Sequence, residues 1–201
     1  TLQAYGSQVT LGNLYSDGNA SGSTTFPQDG FWGSQGVSNS YLENGGTVAG
    51  SFTIYQTTNR AFSGVVRDGT FYSPTTSNLA SAPLSLIKDG PGALALNQSN
   101  YYTGTTLIRG GDLNVDGVHV GGGTYSVLNG GALGGTGIVV SSVQVADGGG
   151  LTPGSVGMAT ETLYGALTID GDLSLSPASL LRFDLAGNDL TPGGTDPFTM
   201  N

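Results

Sequence analysis

The chain has 201 residues, 36 of them glycine and none cysteine, and only 9% are charged. Five basic against 14 acidic side chains give a formal net charge of −9, so the phosphate backbone of a nucleic acid would be repelled and an anionic membrane offered nothing to hold. Without cysteine there are no disulfides, thiol nucleophiles or thiolate metal sites, and no run approaches the ~18 apolar residues of a membrane-spanning helix.

Residues 1–40 follow no regular pattern. Within them "FPQDGFWGSQG" gathers Phe26, Phe31 and the sole tryptophan, Trp32, between glycines. They are expected to form an irregular N-terminal cap or loop region, with 41–201 the repeats. Next comes "LENGGTV", Leu42 to Val48: an apolar residue, two positions, a double glycine, one position, then Leu or Val. The stretch "FYSPTTSNLASAP" (71–83) carries two prolines and reads as a loop leaving the main body. The glycine pattern then returns at Leu107 ("LIRGGDL"), Val127 ("VLNGGAL") and Val145 ("VADGGGL"), with a shorter relative in "TIDGDLSL" at 168–175. After "FDLAGNDLTPGG", Phe198 to Met200 reads as the start of a further strand, which either continues a coil or completes a neighbouring subunit by strand addition.

Each copy reads as strand, glycine corner, strand. The last three start 20 and 18 residues apart, and the interval before them has room for three coils of that size. A helical-hairpin repeat needs about 33 to 47 residues. A period near 20 instead fits an all-β fold, a β-solenoid of short parallel strands stacked ~4.8 Å apart. About ten coils would make a rod roughly 45 Å long. Leu113, Val115 and Val118, then Leu167, Ile169, Leu173 and Leu175, are expected to face its core.

Residues 86–113, "LIKDGPGALALNQSNYYTGTTLIRGGDL", resemble the β-strand repeat of autotransporter passenger domains. Lys88, Gly90, Gly92, Leu94, Leu96, Tyr102, Thr103, Gly104, Thr105, Thr106, Gly111 and Leu113 all fall on that pattern, and the resemblance extends over about residues 60–185. It implies a right-handed parallel β-helix, exported from a bacterium and serving at or beyond the cell surface in adhesion, aggregation or as a stalk. It implies no catalytic residue and no cofactor.

A carbohydrate-active β-helix enzyme, a polysaccharide lyase or glycoside hydrolase, is the rival reading. It would need two carboxylates ~5 to 9.5 Å apart, drawn from Asp112, Asp116, Asp147, Asp170 and Asp172 stacked along one side. Each of these stands at or near a glycine corner, where an aspartate caps its own turn. His119, the only histidine, cannot make a metal site alone and is expected on a surface or rim of a strand. No serine has a Gly-x-Ser-x-Gly context, no Gly-Gly-x-Gly-x-Asp calcium repeat is present, and no metal is expected.

The expected protein is therefore not an enzyme. It is an extracellular structural protein or adhesin, a rigid spacer that assembles end to end into filaments. Its expected partners are itself, through head-to-tail or strand-addition contacts, or surface glycans and proteins. The aromatic residues expected to form a contact surface are Phe31, Trp32, Tyr101 and Tyr102.

Overall fold

Period-two alternation puts every second side chain on one side of a strand, and each such strand here lies parallel to its equivalent in the previous turn of chain. The computed structural model describes residues 1–15, 41–71, 79–80, 82–154 and 165–183. Among them are 21 strands and no helix. The strands form the three faces of a parallel β-helix.

The first face is a seven-stranded parallel sheet of Gln8–Leu11, Gly50–Tyr55, Leu84–Asp89, Thr106–Ile108, Tyr125–Val127, Val143–Val145 and Leu173–Leu175. The second stacks Arg60–Phe62, Leu94–Leu96, Gly111–Val115, Gly131–Gly135, Gly150–Pro153 and Leu180–Leu181. The third begins with Leu2–Gln3, Tyr41–Glu43 and Val65–Arg67 and ends with Val118–His119, Ile138–Val139 and Thr168–Ile169. Single parallel bridges, Arg67 to Tyr101 and Asn100 to His119, join its two halves.

Register makes the core a set of columns. On the first face one inward column runs Val9, Phe52, Leu86, Thr106, Tyr125, Val143, Leu173, and the next runs Leu11, Ile54, Lys88, Ile108, Val127, Val145, Leu175. The outward column between them is Thr10, Thr53, Ile87, Leu107, Ser126, Gln144, Ser174, largely the polar face expected of a solenoid. Leu94, Leu113, Leu133 and Leu151 close the core from the second face.

Coil length departs from a uniform 20. Successive partners Val9, Phe52, Leu86, Thr106, Tyr125, Val143 and Leu173 are 43, 34, 20, 19, 18 and 30 residues apart. Among the described residues the first face has seven rungs, a stack about 29 Å high, against about ten expected for the whole chain. Only two steps separate Gly50–Tyr55 from Thr106–Ile108, because the first contains an excursion in which Thr70–Phe71 pairs antiparallel with Leu79–Ala80. Residues 72–78 and 81 of the loop expected at 71–83 lie outside the described residues. The stack also begins earlier than residue 41, since Leu2–Gln3 and Gln8–Leu11 already pair with the next coil.

The glycine corners sort into two kinds. Leu113, Leu133 and Leu151 pair with one another, so the last three copies of the motif share one corner between the first and second faces. The residue of the first of these that matches Val127 and Val145 is Ile108 rather than Leu107. "LENGGTV" leaves the third face and belongs to a different corner. Of the residues expected in the core, Leu113 and Val115 are fully buried, while Leu167 and Ile169 are partly buried against it. Val118 points outward instead, and His119 points in. Leu173 and Leu175 keep the inward register but are 44% and 41% exposed, because they lie in the last described rung.

One charged side chain sits inside. Lys88 interrupts an aliphatic column between Ile54 and Ile108 and is fully buried. Its Nζ donates to the carbonyls of Asp89 and Gly90 at 3.0 Å and of Gly110 at 2.8 Å, matching three ammonium protons to three acceptors at two successive corners. Burial lowers its pKa to about 8, with Asp112 and Asp89 opposing. Above pH 8 the folded chain gives up a proton that the unfolded chain keeps to its ordinary value of 10.5. This group's contribution to stability therefore rises with pH through that window, with a slope on the order of 1 kcal/mol per pH unit, and is lost as pH falls through 8. Urea denaturation between pH 7.5 and 10 should show the rise in the native protein and lose it in Lys88→Met. Equal slopes in the two proteins would mean that Lys88 does not titrate there.

Candidate contact surface

On the third face the outward row is built differently. Gln3, Glu43, Arg67 and Tyr101 occupy equivalent positions on successive rungs. The Glu43 carboxylate accepts from Gln3 Nε2 at 2.6 Å, and its Oε2 accepts from Arg67 Nε and Nη2, both at 2.7 Å. Glu43 is 4% exposed, so this pair is held more firmly than a surface ion pair. The Arg67 guanidinium also lies 3.8 Å from the centre of the Tyr41 ring. Each charge is thus matched within the row.

Beyond Arg67 the row becomes apolar. Tyr101 is anchored by its backbone N–H, which donates to the Val66 carbonyl at 2.8 Å, and its side chain is 54% exposed. Val120 on the next rung is 50% exposed, and Ile138, which is in register with Val118 rather than Val120, is 37% exposed beside this row. Flat, uncharged surface with an aromatic at one end suits a sugar ring or an apolar protein patch. Phe31 and Trp32, also expected at a contact surface, lie outside the described residues.

Tyr102 does not join this surface. Consecutive residues of a strand point to opposite sides, so with Tyr101 outward Tyr102 is fully buried. Its hydroxyl lies 2.7 Å from Thr106 Oγ1 and 3.3 Å from the hydroxyl of Tyr125. Tyr125 in turn bonds His119 Nδ1 at 2.8 Å, and His119 Nε2 bonds the Tyr102 carbonyl at 2.9 Å. The Tyr102 and His119 rings stack with centroids 4.1 Å apart. Burial raises the Tyr102 pKa to about 12 and that of Tyr125 well above its ordinary value, so both hydroxyls keep their protons at neutral pH.

His119 is thus not at a rim. It is 1% exposed and occupies the inward column that Leu42, Val66 and Asn100 fill on earlier rungs. In "GVHVGGG" the valines on either side suggest the reverse, an apolar pair facing in with the imidazole out. Asn100 is buried for a related reason. Where the third face has only isolated bridges, its Oδ1 accepts from Val66 N–H and its Nδ2 donates to the Gln98 carbonyl, supplying partners that a regular ladder would provide.

The acidic residues hold corners. Asp116 accepts from Thr136 N–H at 3.1 Å and Asp147 from Ala178 N–H at 3.0 Å, each capping the next coil's corner rather than its own turn. Asp68 accepts from Leu84 and Thr103 N–H and from the Thr103 hydroxyl. Asp112 lies in Gly111–Val115 on the second face, Asp170 follows Thr168–Ile169 on the third, and Asp172 precedes the last strand of the first. They do not form one stacked line. Among the described residues no group of three His, Asp or Glu side chains is placed to hold a metal ion.

Comparison with known proteins agrees with the glycine and tyrosine spacing. Residues 86–115 match the model of the passenger-associated-transport-repeat. A stretch of 88 residues is 43% identical to the adhesin BmaC autotransporter of Brucella suis biovar 1 (strain 1330), covering 43% of this chain and 3% of that protein. The chain thus spans a small part of its relative's length. No solved structure matches.

Proposed function

We propose that this chain, whose residues 86–115 match the passenger-associated-transport-repeat, acts at or beyond a bacterial cell surface as a non-enzymatic part of an adhesin, a rigid spacer with a contact strip on its third face. The observation that carries this is the unbroken parallel ladder of the first face, seven strands in register over coils of very different length. Backbone pairing of that kind gives stiffness without a deep pocket. The strip of Tyr101 and Val120, with Ile138 beside it, is where the rod offers uncharged area.

The adhesive part is tested with beads coated with the 201-residue chain and laid on animal-cell monolayers. Attachment should exceed that of beads carrying an unrelated acidic protein and fall several-fold with Tyr101→Ala. Equal attachment of the two bead types would overturn it. End-to-end assembly is a finer part of the proposal, since an open parallel-sheet edge invites pairing with a strand of another copy. Negative-stain images over a wide concentration range should show rods lengthening, and monomers throughout would end that part. Against the carbohydrate-active alternative stands the engagement of Asp68, Asp116 and Asp147 at coil corners.

A further inference from the structure

Rotating protons, rather than moving atoms, governs the buried cluster of Tyr102, Thr106, His119 and Tyr125. His119 Nε2 faces a carbonyl oxygen, which only accepts, so Nε2 carries a proton. In the neutral imidazole Nδ1 is then the acceptor, and the Tyr125 hydroxyl must donate to it. With that proton committed, the Tyr125 oxygen is left to accept, and the Tyr102 hydroxyl is beside it and Thr106. The chain of hydrogen bonds has a direction, and its direction depends on the charge of one imidazole.

A second proton at Nδ1 turns the Tyr125 hydroxyl away toward Tyr102 and obliges Tyr102 to donate to Thr106. It also leaves a cation beneath a stacked phenol ring. The groups around His119 are Tyr102 from the segment before it, Thr106 and Tyr125 from the first face, and the Asp68 carboxylate, whose oxygens already accept from Leu84 and Thr103. We propose that this cluster is an acid-sensitive latch: protonation of His119 reverses the hydrogen-bond chain and loosens the attachment of the third face to the first across the rungs bearing Tyr102, His119 and Tyr125.

The direction of the effect follows from burial. Desolvation holds the His119 pKa below its ordinary value, against the Tyr102 carbonyl and Asp68, which favour the cation. The folded chain thus resists a proton that the open chain takes up near pH 6.5. Closure of the latch is fully supported above pH 6.5 and weakens as pH falls through the folded value, by at most about 30-fold at pH 5.

The chain's one histidine makes this measurable without mutation, because its imidazole Cε1–H signal reports its titration by NMR. That signal should titrate below pH 6.5, and a midpoint at or above 6.5 would overturn the proposal. Hydrogen exchange, corrected for intrinsic pH dependence, should show residues 100–102 and 118–127 losing protection between pH 7 and pH 5, while Gly50–Tyr55 does not. In His119→Gln, which keeps a donor and an acceptor but cannot ionise, the acid loss should disappear. If it persists unchanged there, groups other than His119 are responsible and the latch is refuted.

Discussion

Alanine at Gly121 or Gly123 is expected to cost roughly 2–4 kcal/mol of folding stability, while alanine at Gly122 between them stays within about 0.5 kcal/mol of the native chain. The three glycines are indistinguishable in the sequence. A Cβ at Gly121 would overlap the Tyr102 carbonyl oxygen, and one at Gly123 the Gly104 carbonyl oxygen, whereas at Gly122 nothing lies within 4 Å. At this corner between the third and first faces the coils rest backbone on backbone. A side chain there must push apart two rungs tied by hydrogen bonds on either side. Urea denaturation of the three single variants decides it, and equal losses at all three positions would mean the cost is one of chain flexibility instead.

Tyr102→Ala should destabilise the chain by roughly 3–5 kcal/mol, the range for emptying a buried aromatic site, and Tyr101→Ala by less than about 1 kcal/mol. Tyr102 is fully buried among His119, Tyr125 and Thr106, and its loss opens a cavity while removing hydroxyl partners. The Tyr101 side chain is half exposed, and its ladder bond is made by the backbone. Tyr102→Phe should cost less, about 1–2 kcal/mol, since it keeps the ring and strips only the hydroxyl. Thermal unfolding of all three separates cavity, hydrogen bond and surface contributions. A loss at Tyr101 comparable with that at Tyr102 would refute the assignment of faces.

Legibility differed by kind of residue. The corner glycines and the leucines after them were readable, because Leu113, Leu133 and Leu151 recur with one glycine motif and pair in the fold. The expectation failed where polar residues face inward. Lys88, Thr106, Asn100 and His119 all occupy core columns, and a period-two reading assigns such side chains to solvent unless their partners are known. Some of those partners come from neighbouring coils, 17, 22 and 34 positions away, as in His119 to the Tyr102 carbonyl, Lys88 to the Gly110 carbonyl and Asn100 to the Val66 N–H. A repeat period announces that coils stack but not which polar groups meet. Coil number failed for another reason, since a uniform period hides excursions that leave the register of the stack unchanged.

The Asp68 carboxylate, which joins Leu84 N–H to Thr103 N–H and hydroxyl, has a consequence for how such a surface protein diversifies. It fastens the base of the excursion between residues 68 and 84, beside the bonds of Gly50 N–H to the Pro83 carbonyl and Ala82 N–H to the Gly46 carbonyl, so the foot of the excursion is tied into the stack. Lengthening a flexible loop costs only about 0.6 kcal/mol per doubling. This position can therefore exchange one loop for another, under whatever selection acts at the cell surface, while the rod that presents it is left unaltered.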